Sequence, residues 1–427
     1  MVRRRVVLSA FAFSPAAGSE PGVGWNIGSR LAAYHDVTIL CCPQLAGGEE
    51  NNRSEVETYL KKYGPISGME VRYIEPPLLS RWFQKPLISF STPFYFVGYA
   101  AWQRTAFAEA KRLHEARAFD LAHQLTITGF REPGFLWKLG IPFVWGPVAG
   151  ASDVPWKYFH LFSRRDWFFY GLKNILNAAH KRFKFRSRRA ARAAKHIFVT
   201  TADDQALVSG RWGYESHLML ITGTPELDGR VREYNGSEPL RLVWSGLHAG
   251  RKALPLLLEA AAELKRESAG KRFTLKILGD GPQSDAWKTL AARLGIGDLI
   301  TWTGKVPQTV ALEEMRHADV FVITSVQEGA PSVVMEALAL GLPVICHDAC
   351  GMAFAVNETC GIKVPMDGPE NSKRGFFVAI RSLLADPQRV RSLSAGALAR
   401  ARELSWDRKV KEIAEVYDKV AQTGGAA

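Results

Sequence analysis

Two carboxylates stand out in the stretch "SVQEGAPSVVMEALALGLPVICHDACG", residues 325–351. Glu328 falls on the loop predicted to follow an apolar strand, and Glu336 falls about one turn inside the next predicted helix. Pro331 suits the first turn of that helix, where its missing N–H would have had no partner. The N–H groups of residues 332–334 would then point outward and, with the helix dipole, attract an anion. The pattern predicts an anion site flanked by two acids.

This arrangement suits a sugar nucleotide. The helix amides would hold the diphosphate, Glu336 would accept hydrogen bonds from ribose hydroxyls, and Glu328 would lie near the transferred sugar. In the alternative interpretation Glu336 caps local structure and Glu328 is a solvated loop acid. The ligand interpretation is favoured because the proline, the helix start and the spacing agree independently.

Short apolar runs that alternate with helix-length segments surround this motif. Alternation of this kind predicts parallel sheets with helices on both faces, and hence an α/β protein with two facing, doubly wound, Rossmann-like domains. Ligands of such sheets bind at the carboxyl ends of the strands, so we expect the substrate in the cleft between the domains. The predicted strands lie in the runs RRVVLSAFAF, DVTILCC, FDLAHQL, IPFVWGP, AKHIFVTT, LRLVWSG, FTLKILGDGP, LITWTGKV, ADVFVITS and GLPVICHD.

The length of 427 residues predicts two to three domains. We place an N-terminal acceptor-side domain at 1–222 and a polar linker at 223–240. A C-terminal nucleotide-sugar-binding domain follows at 241–402, and an amphipathic closing helix and tail occupy 403–427.

The composition bounds the class of protein. The five cysteines are odd in number and lack zinc spacing, which predicts reduced thiols in a cytoplasmic protein. The arginine-rich start resembles a signal peptide, but its apolar run, Val6–Phe13, is short and begins with β-branched residues, so we predict a buried strand. No uninterrupted apolar stretch is long enough to span a bilayer. We expect a cytoplasmic protein, with peripheral attachment to the inner face of the membrane left open.

The segment "EGAPSVVMEALALGLPV" resembles the E-x7-E signature of the retaining glycosyltransferases of family 4, which have two facing Rossmann-like domains, the GT-B type of fold. "KILGDGP" and "LSWDRKVKEIAEVY" resemble that family's C-domain turn and closing helix. The resemblance implies that Glu336 binds ribose and that Glu328 approaches the donor sugar as a catalytic residue. A second catalytic residue is implied in His123, at the end of a predicted strand, although a lone histidine is more often structural.

The same resemblance implies a donor-binding set around the strand ends. In "WSGLHAGRKALPLLL" Lys252 occupies the family's lysine position, whereas Leu247 stands where the family has an arginine. Either Arg251 replaces that arginine, or Lys252 and the helix amides hold the diphosphate. "TWTGKVPQ" is expected to line the base pocket. The expected donor-binding residues are Glu336, Lys252, Arg251, Gly22, Gly24, Gly246, Ser332, Val333, Gly304 and Lys305.

The implied reaction is retaining transfer from a nucleoside-diphosphate sugar, a UDP-sugar first and a GDP-sugar second, to a hydroxyl of a glycan or lipid-linked acceptor. No metal-binding motif is evident at a strand end, so we expect no metal and no cofactor besides the donor. A sugar-nucleotide epimerase and a non-catalytic binding protein remain alternatives. A nicotinamide dehydrogenase is disfavoured because "GSEPGVGWNIG" lacks the GxGxxG spacing.

A net charge of +13 points to an anionic partner, and the charge is concentrated in one segment. Residues 157–195 hold twelve Lys or Arg and one acid, interleaved with aromatic residues. A solvated helix face and an anionic membrane surface are both open interpretations, and nucleic acid is disfavoured because no nucleic-acid module accompanies the charge. The apolar segment 76–102 could add to a membrane-facing patch or form a buried helical hairpin.

Overall fold

A computed structural model describes residues 2–44, 51–77, 93–267 and 273–424. The chain forms two compact units. The first comprises residues 1–151, 180–221 and 406–427, and the second comprises residues 152–179 and 222–405. Most of segment 76–102 lies outside the described residues. In the part of the chain that is described, no helix is both long and apolar enough to cross a membrane.

The first unit is built on a seven-stranded sheet in the order β3-β2-β1-β4-β5-β6-β7. Its strand pairs are parallel, and the long central strands are buried almost throughout, as a sheet covered on both faces requires. The strands are β1 Arg5–Ala10, β2 Asp36–Cys41, β3 Met69–Tyr73, β4 Leu121–Thr126, β5 Phe143–Val148, β6 His196–Val199 and β7 His217–Leu218.

Helices of the first unit cover this sheet, and the last helix of the chain returns to it. That helix, Trp406–Gly424, buries Tyr417 against His35, with ring centroids 5.5 Å apart. The other helices are Ser19–Leu31, Asn52–Tyr63, Pro93–Ala116, Phe185–Ala193 and Ala202–Gln205, with a π-helical turn at Ala206–Arg211 and a 3₁₀ turn at Leu136–Lys138.

The second unit is built on a six-stranded parallel sheet in the order β10-β9-β8-β11-β12-β13. Its strands are β8 Leu240–Ser245, β9 Phe273–Leu278, β10 Ile300–Gly304, β11 Val320–Ile323, β12 Val344–His347 and β13 Gly361–Val364. Its helices are Pro255–Glu267, Ser284–Arg293, Gln308–Arg316, Ser332–Ala339, Cys350–Ala355, Pro369–Ala385 and Pro387–Glu403, with 3₁₀ turns at Trp156–Leu161, Gly250–Lys252 and Gly297–Leu299. The helix Arg164–Phe183 lies for most of its length in the segment 152–179 of this unit.

The compact units differ from the predicted domain boundaries in three places. Residues 152–179 belong to the second unit rather than to a domain 1–222, and the closing helix belongs to the first unit. The predicted linker 223–240 is part of the second unit. Arg232 is buried there, where its N–H donates to Ser394 Oγ (2.8 Å) and its Nη2 donates to the Leu340 carbonyl (2.7 Å).

Candidate functional site

The strand order of the second unit reverses between β8 and β11, which are neighbours in the sheet but not in sequence. Ligands of doubly wound sheets bind at such a point, beyond the carboxyl ends of the strands. The loop after β8 is tied there to the end of β11. Thr324 Oγ1 donates to the Lys252 carbonyl (2.7 Å), and the Val326 N–H donates to the Arg251 carbonyl (2.9 Å). These bonds fix the backbone of both cationic residues at the switch point.

Three charged side chains meet at this position. Lys252 Nζ and Arg251 Nη1 both contact Glu328 Oε2, the latter at 3.3 Å, and Arg251 Nη1 also donates to the Gln327 carbonyl (3.0 Å). The Lys252 and Glu328 side chains are only 9% and 14% exposed. Two cations thus share one carboxylate, which leaves an excess of one positive charge beside a strand end.

The electrostatics favour an ionised Glu328. Burial alone would raise the pKa of this carboxyl, but the charges of Lys252 and Arg251 outweigh burial and hold its pKa below the usual value. Burial lowers the pKa of Lys252, while the Glu328 charge opposes that change. The cluster is therefore a partly buried ion network whose surplus cation lacks a full counter-charge, as an anion-binding site requires.

The helix that carries Glu336 begins one residue later than predicted, at Ser332, with Pro331 in the preceding cap position. Two of the three amides expected to be free are engaged in turns. Ser332 N–H donates to the Ala330 carbonyl (2.8 Å), and Val334 N–H donates to the Pro331 carbonyl (2.9 Å). Within the described residues the Val333 N–H has no protein acceptor. The helix start thus offers one backbone donor, not three.

Glu336 lies on this helix and is held by Gln308, a residue that sequence reasoning missed. Gln308 Nε2 donates to Glu336 Oε1 at 2.5 Å. Burial raises the pKa of Glu336, and the hydrogen bond from Gln308 partly opposes the rise. Gln308 begins a helix three residues after Lys305, so the expected base-pocket loop and the expected ribose ligand are linked by one contact.

Gly351 is a second residue that sequence reasoning missed, and it supports the Glu328 loop from behind. Its N–H donates to the Glu328 carbonyl (3.0 Å). A Cβ added at this position would lie 2.6 Å from the Gly329 carbonyl oxygen, which no real side chain tolerates. The glycine therefore lets the following helix approach the loop closely enough to fix it. In the sequence, the only sign of this role was that Gly351 ends the stretch 325–351 that contains both acids.

Other predicted residues of the second unit line the same sheet edge without joining the ion network. Gly246 lies beneath the Lys252 side chain, and a Cβ there would be 3.5 Å from the lysine Cε. Gly304 has a φ of +70°, which favours glycine, and Lys305 beside it is exposed. Leu247, at the family's arginine position, is also exposed, whereas Arg251 contacts Glu328.

In the first unit His123 has a packing environment rather than an open one. It is fully buried on β4, its Nε2 lies 2.7 Å from the Gly146 carbonyl, and its Nδ1 lies 2.5 Å from the Tyr417 hydroxyl. A carbonyl can only accept, so Nε2 carries the proton and Nδ1 accepts from Tyr417. Burial lowers the pKa of His123 to about 4. The expected position beside a reacting sugar is not supported, because both ring nitrogens are satisfied within this unit.

The glycines Gly22 and Gly24 lie inside the helix Ser19–Leu31 and approach the chain's own backbone. A Cβ on Gly24 would lie 2.2 Å from the Ala12 carbonyl oxygen, and one on Gly22 would lie 2.6 Å from that of Ala17. Both glycines thus let the helix pack closely against the chain between β1 and the helix, and their place at the donor stays a prediction.

Among the residues that the structure describes, no group of three or more His, Cys, Asp or Glu side chains is arranged to hold a metal ion.

The family comparison falls on the unit that holds the ion network. Residues 239–386 match the family described as Glycosyl transferases group 1. This range contains β8 to β13, the Arg251–Lys252–Glu328 network and Glu336. The part of the chain that is similar to this family is therefore the part that carries these side chains.

Curated relatives match a similar part of the chain. A D-inositol 3-phosphate glycosyltransferase of Geodermatophilus obscurus is 34% identical over 253 residues, 55% of this chain and 54% of the relative. The protein of the same name from Streptomyces bingchenggensis is 33% identical over 204 residues, 44% of each chain. The chain thus spans about half the length of the curated relatives it matches.

Solved structures match nearly the whole chain. The apo lipopolysaccharide outer core galactosyltransferase WaaB has a TM-score of 0.63 at 12% identity and covers 97% of this chain and 99% of its own. Anabaena Alr3699/HepE in complex with UDP has a TM-score of 0.60 at 14% identity, covering 97% and 100%. At these identities the likeness concerns the fold, and it confirms the predicted α/β fold with two Rossmann-like domains of the GT-B type.

Proposed function

We propose that this chain is a retaining glycosyltransferase that moves a sugar from a nucleoside-diphosphate sugar to a hydroxyl of a glycan or lipid-linked acceptor. The observation that carries the proposal is the network of Arg251, Lys252 and Glu328 at the β8/β11 switch point, inside the range that matches the group 1 family. The matched relatives are named as glycosyltransferases, which favours transfer over the epimerase and the non-catalytic alternatives.

In the proposed mechanism the cations change partners. A bound diphosphate would attract Lys252 and Arg251 away from Glu328, and the Val333 N–H would add a backbone donor to the phosphate. Glu328 would then be released toward the sugar that is being transferred. The cations would stabilise the negative charge that develops on the nucleoside diphosphate as the bond from the anomeric carbon to its oxygen breaks.

The acceptor hydroxyl would attack the anomeric carbon on the face that the diphosphate leaves. Its proton would pass to the departing phosphate oxygen, so the new glycosidic bond keeps the anomeric configuration. Glu336 would hold the ribose and Glu328 would position and stabilise the sugar, without a covalent intermediate. Metal independence belongs to the same proposal and is tested by measuring transfer in the presence of a chelator.

UDP is the first choice of nucleotide. The Anabaena neighbour was solved with UDP and with UDP-glucose, which supports this choice through a shared fold. The names of the curated relatives mention D-inositol 3-phosphate. For this chain we propose the broader class, a hydroxyl-bearing glycan or lipid-linked glycan at the cytoplasmic face of the membrane, in polysaccharide or glycoconjugate assembly.

Thermal unfolding with UDP, GDP, ADP and NAD tests the donor site. A nucleotide at 100 times its dissociation constant should stabilise the folded protein by about 2.7 kcal/mol. We expect UDP to stabilise the wild type and to do so less in Glu336→Ala, while Glu358→Ala, an exposed acid of the same unit, behaves as wild type. Stabilisation by NAD alone, or by no nucleotide, would contradict the proposal.

A further inference from the structure

The helix Arg164–Phe183 exposes apolar side chains where a helix of a soluble domain normally buries them. Six large apolar residues in its unit-two part are between 44% and 68% exposed. They are Trp167, Phe168, Phe169, Leu172, Ile175 and Leu176, which we call the apolar face. Exposed apolar residues are ordinary when scattered singly, but a contiguous face of this kind marks an interaction surface.

The opposite side of the helix is buried and is fixed in place by two asparagines. Asn174 Oδ1 accepts the Val154 N–H (3.1 Å), and its Nδ2 donates to the Val154 carbonyl (2.7 Å). Asn177 Nδ2 donates to Asp153 Oδ1 (2.5 Å). Turning the helix to bury its apolar face would break these bonds and leave buried amides without partners. The outward orientation of the apolar face is therefore specified by the sequence.

Basic side chains border this face. At about 100° per residue, Lys173 falls on one side of this face, and Arg164 and Arg165 lie at its N-terminal end. The acid of this helix, Asp166, accepts a hydrogen bond from Gln283 Nε2 (3.1 Å). Residues 180–195, which follow in sequence, add eight Lys or Arg and no acid. The face is thus apolar in the middle and cationic at its edges.

We infer that the apolar face of the helix Arg164–Phe183 docks onto an anionic lipid surface. Its side chains would enter the boundary between headgroups and acyl chains, while Arg164, Arg165 and Lys173 contact the lipid phosphates. A second copy of this chain is the poorer occupant, because pairing two such faces brings their cationic borders together. The inference adds a partner to the proposed function and explains how a lipid-linked acceptor would be reached, but its structural basis is independent of glycosyl transfer.

Vesicle flotation tests the inference with the full chain. Vesicles of phosphatidylcholine alone are compared with vesicles that also contain phosphatidylglycerol. We expect wild type to float with the anionic vesicles and the triple variant Phe168→Ser, Leu172→Ser, Ile175→Ser to bind at least about tenfold more weakly. The double variant Val310→Ser, Val378→Ser removes exposed apolar side chains elsewhere in the same unit and should bind as wild type.

A charge variant and two controls complete the design. Arg164→Glu with Lys173→Glu should lose the preference for anionic vesicles. All replaced side chains are exposed, so equal urea midpoints are expected for every variant. An intact UDP response in the triple variant would separate failure of docking from failure of the donor site. The inference is overturned if wild type does not float or if the triple variant floats like wild type. It is also overturned if wild type forms a dimer without binding vesicles and the triple variant is a monomer.

Discussion

The two units place their candidate residues at the same topological position but use it differently. The strand order reverses between β1 and β4 in the first unit and between β8 and β11 in the second. At the second reversal Arg251, Lys252 and Glu328 form a network with surplus positive charge. At the first, His123 is fully buried with both ring nitrogens hydrogen-bonded. A switch point therefore indicates where a ligand can bind. Uncompensated charge and unsatisfied hydrogen-bonding groups indicate which side chains can bind it.

The largest effect is expected for Glu328→Gln, which keeps the shape of the side chain and removes its charge. If Glu328 stabilises the reacting sugar, transfer at saturating donor should fall by about 10²- to 10³-fold. UDP should bind as well as before or more tightly, since Lys252 and Arg251 lose the competing carboxylate. Transfer assays and calorimetry measure the two effects, with Glu358→Gln as the matched control.

A Glu328→Gln protein with full activity and weaker UDP binding would reverse this assignment. The carboxylate would then serve to hold the cations in place, and the catalytic role would have to be sought elsewhere at the same strand ends.

The next largest effect is expected for Lys252→Met. A charge-assisted hydrogen bond contributes roughly 1.5–3 kcal/mol, so UDP affinity should fall by about 10- to 100-fold. Arg251→Met should cost less, because Arg251 lies 3.3 Å from Glu328 and is more exposed than Lys252. Lys265→Met, which removes an exposed ion-paired lysine of the same unit, should leave affinity unchanged. Equal losses of UDP affinity in Lys265→Met and Lys252→Met would indicate a general effect of charge. The ion network would then no longer distinguish the second unit from the first.

In the first unit His123→Leu should affect stability and not transfer. The substitution leaves the buried Gly146 carbonyl and the Tyr417 hydroxyl without partners, at a cost of about 1–3 kcal/mol in the free energy of unfolding. Urea unfolding measures the loss, and Tyr417→Phe, which removes one of the two bonds, should cost less. Loss of transfer in folded His123→Leu protein would indicate that the histidine takes part in transfer. Both units would then contribute active-site residues.

The same histidine gives a pH dependence whose sign is fixed. The folded pKa, about 4, lies below the value near 6.5 of an exposed histidine, so the unfolded chain binds the proton first as pH falls. Its contribution to stability is complete above about 6.5 and is lost as pH falls toward 4. The slope of unfolding free energy against pH in this window should be shallower in His123→Leu than in wild type.

The fold was predictable from the sequence because buried parallel strands are recorded as short apolar runs. The run beginning at Val6 confirms this, since Val6 to Ala10 lie in the buried strand β1. Three strands that the sequence did not reveal, β3, β7 and β13, are partly exposed or no more than four residues long. Their positions follow from pairing with β2, β6 and β12, which no local pattern records.

Within the site, a meeting of two side chains was predictable only where both follow the ends of adjacent parallel strands. Lys252 and Glu328 meet because each follows one of two adjacent strands, as the switch-point rule requires. Gln308 and Gly351 were missed, because their contacts with Glu336 and Glu328 join separate elements. The hydrogen bonds of His123 could not be predicted, because the hydroxyl that contacts its Nδ1 is Tyr417, 294 residues away in sequence.

The contact between Gln308 and Glu336 gives the smallest and most specific test. Burial raises the pKa of Glu336, and the Gln308 amide opposes the rise by donating to the ionised carboxylate. Removing the donor in Gln308→Leu should therefore raise this pKa further. If the ionised carboxylate accepts the ribose hydroxyls, UDP affinity falls as pH falls through the pKa of Glu336. The acidic limb of the affinity profile should then move to higher pH in Gln308→Leu, with little change near neutral pH.

Two variants identify the carboxylate whose protonation lowers UDP affinity on the acidic side of the pH profile. Glu328 has a lowered pKa, so it protonates at lower pH than Glu336 and cannot produce the first loss of affinity. Glu336→Gln should abolish this limb, whereas Glu328→Gln should leave it in place. An acidic limb that Gln308→Leu does not move would mean that the nucleotide does not sense the charge of Glu336, and the cationic network of Arg251 and Lys252 would then hold the donor without a carboxylate on the ribose.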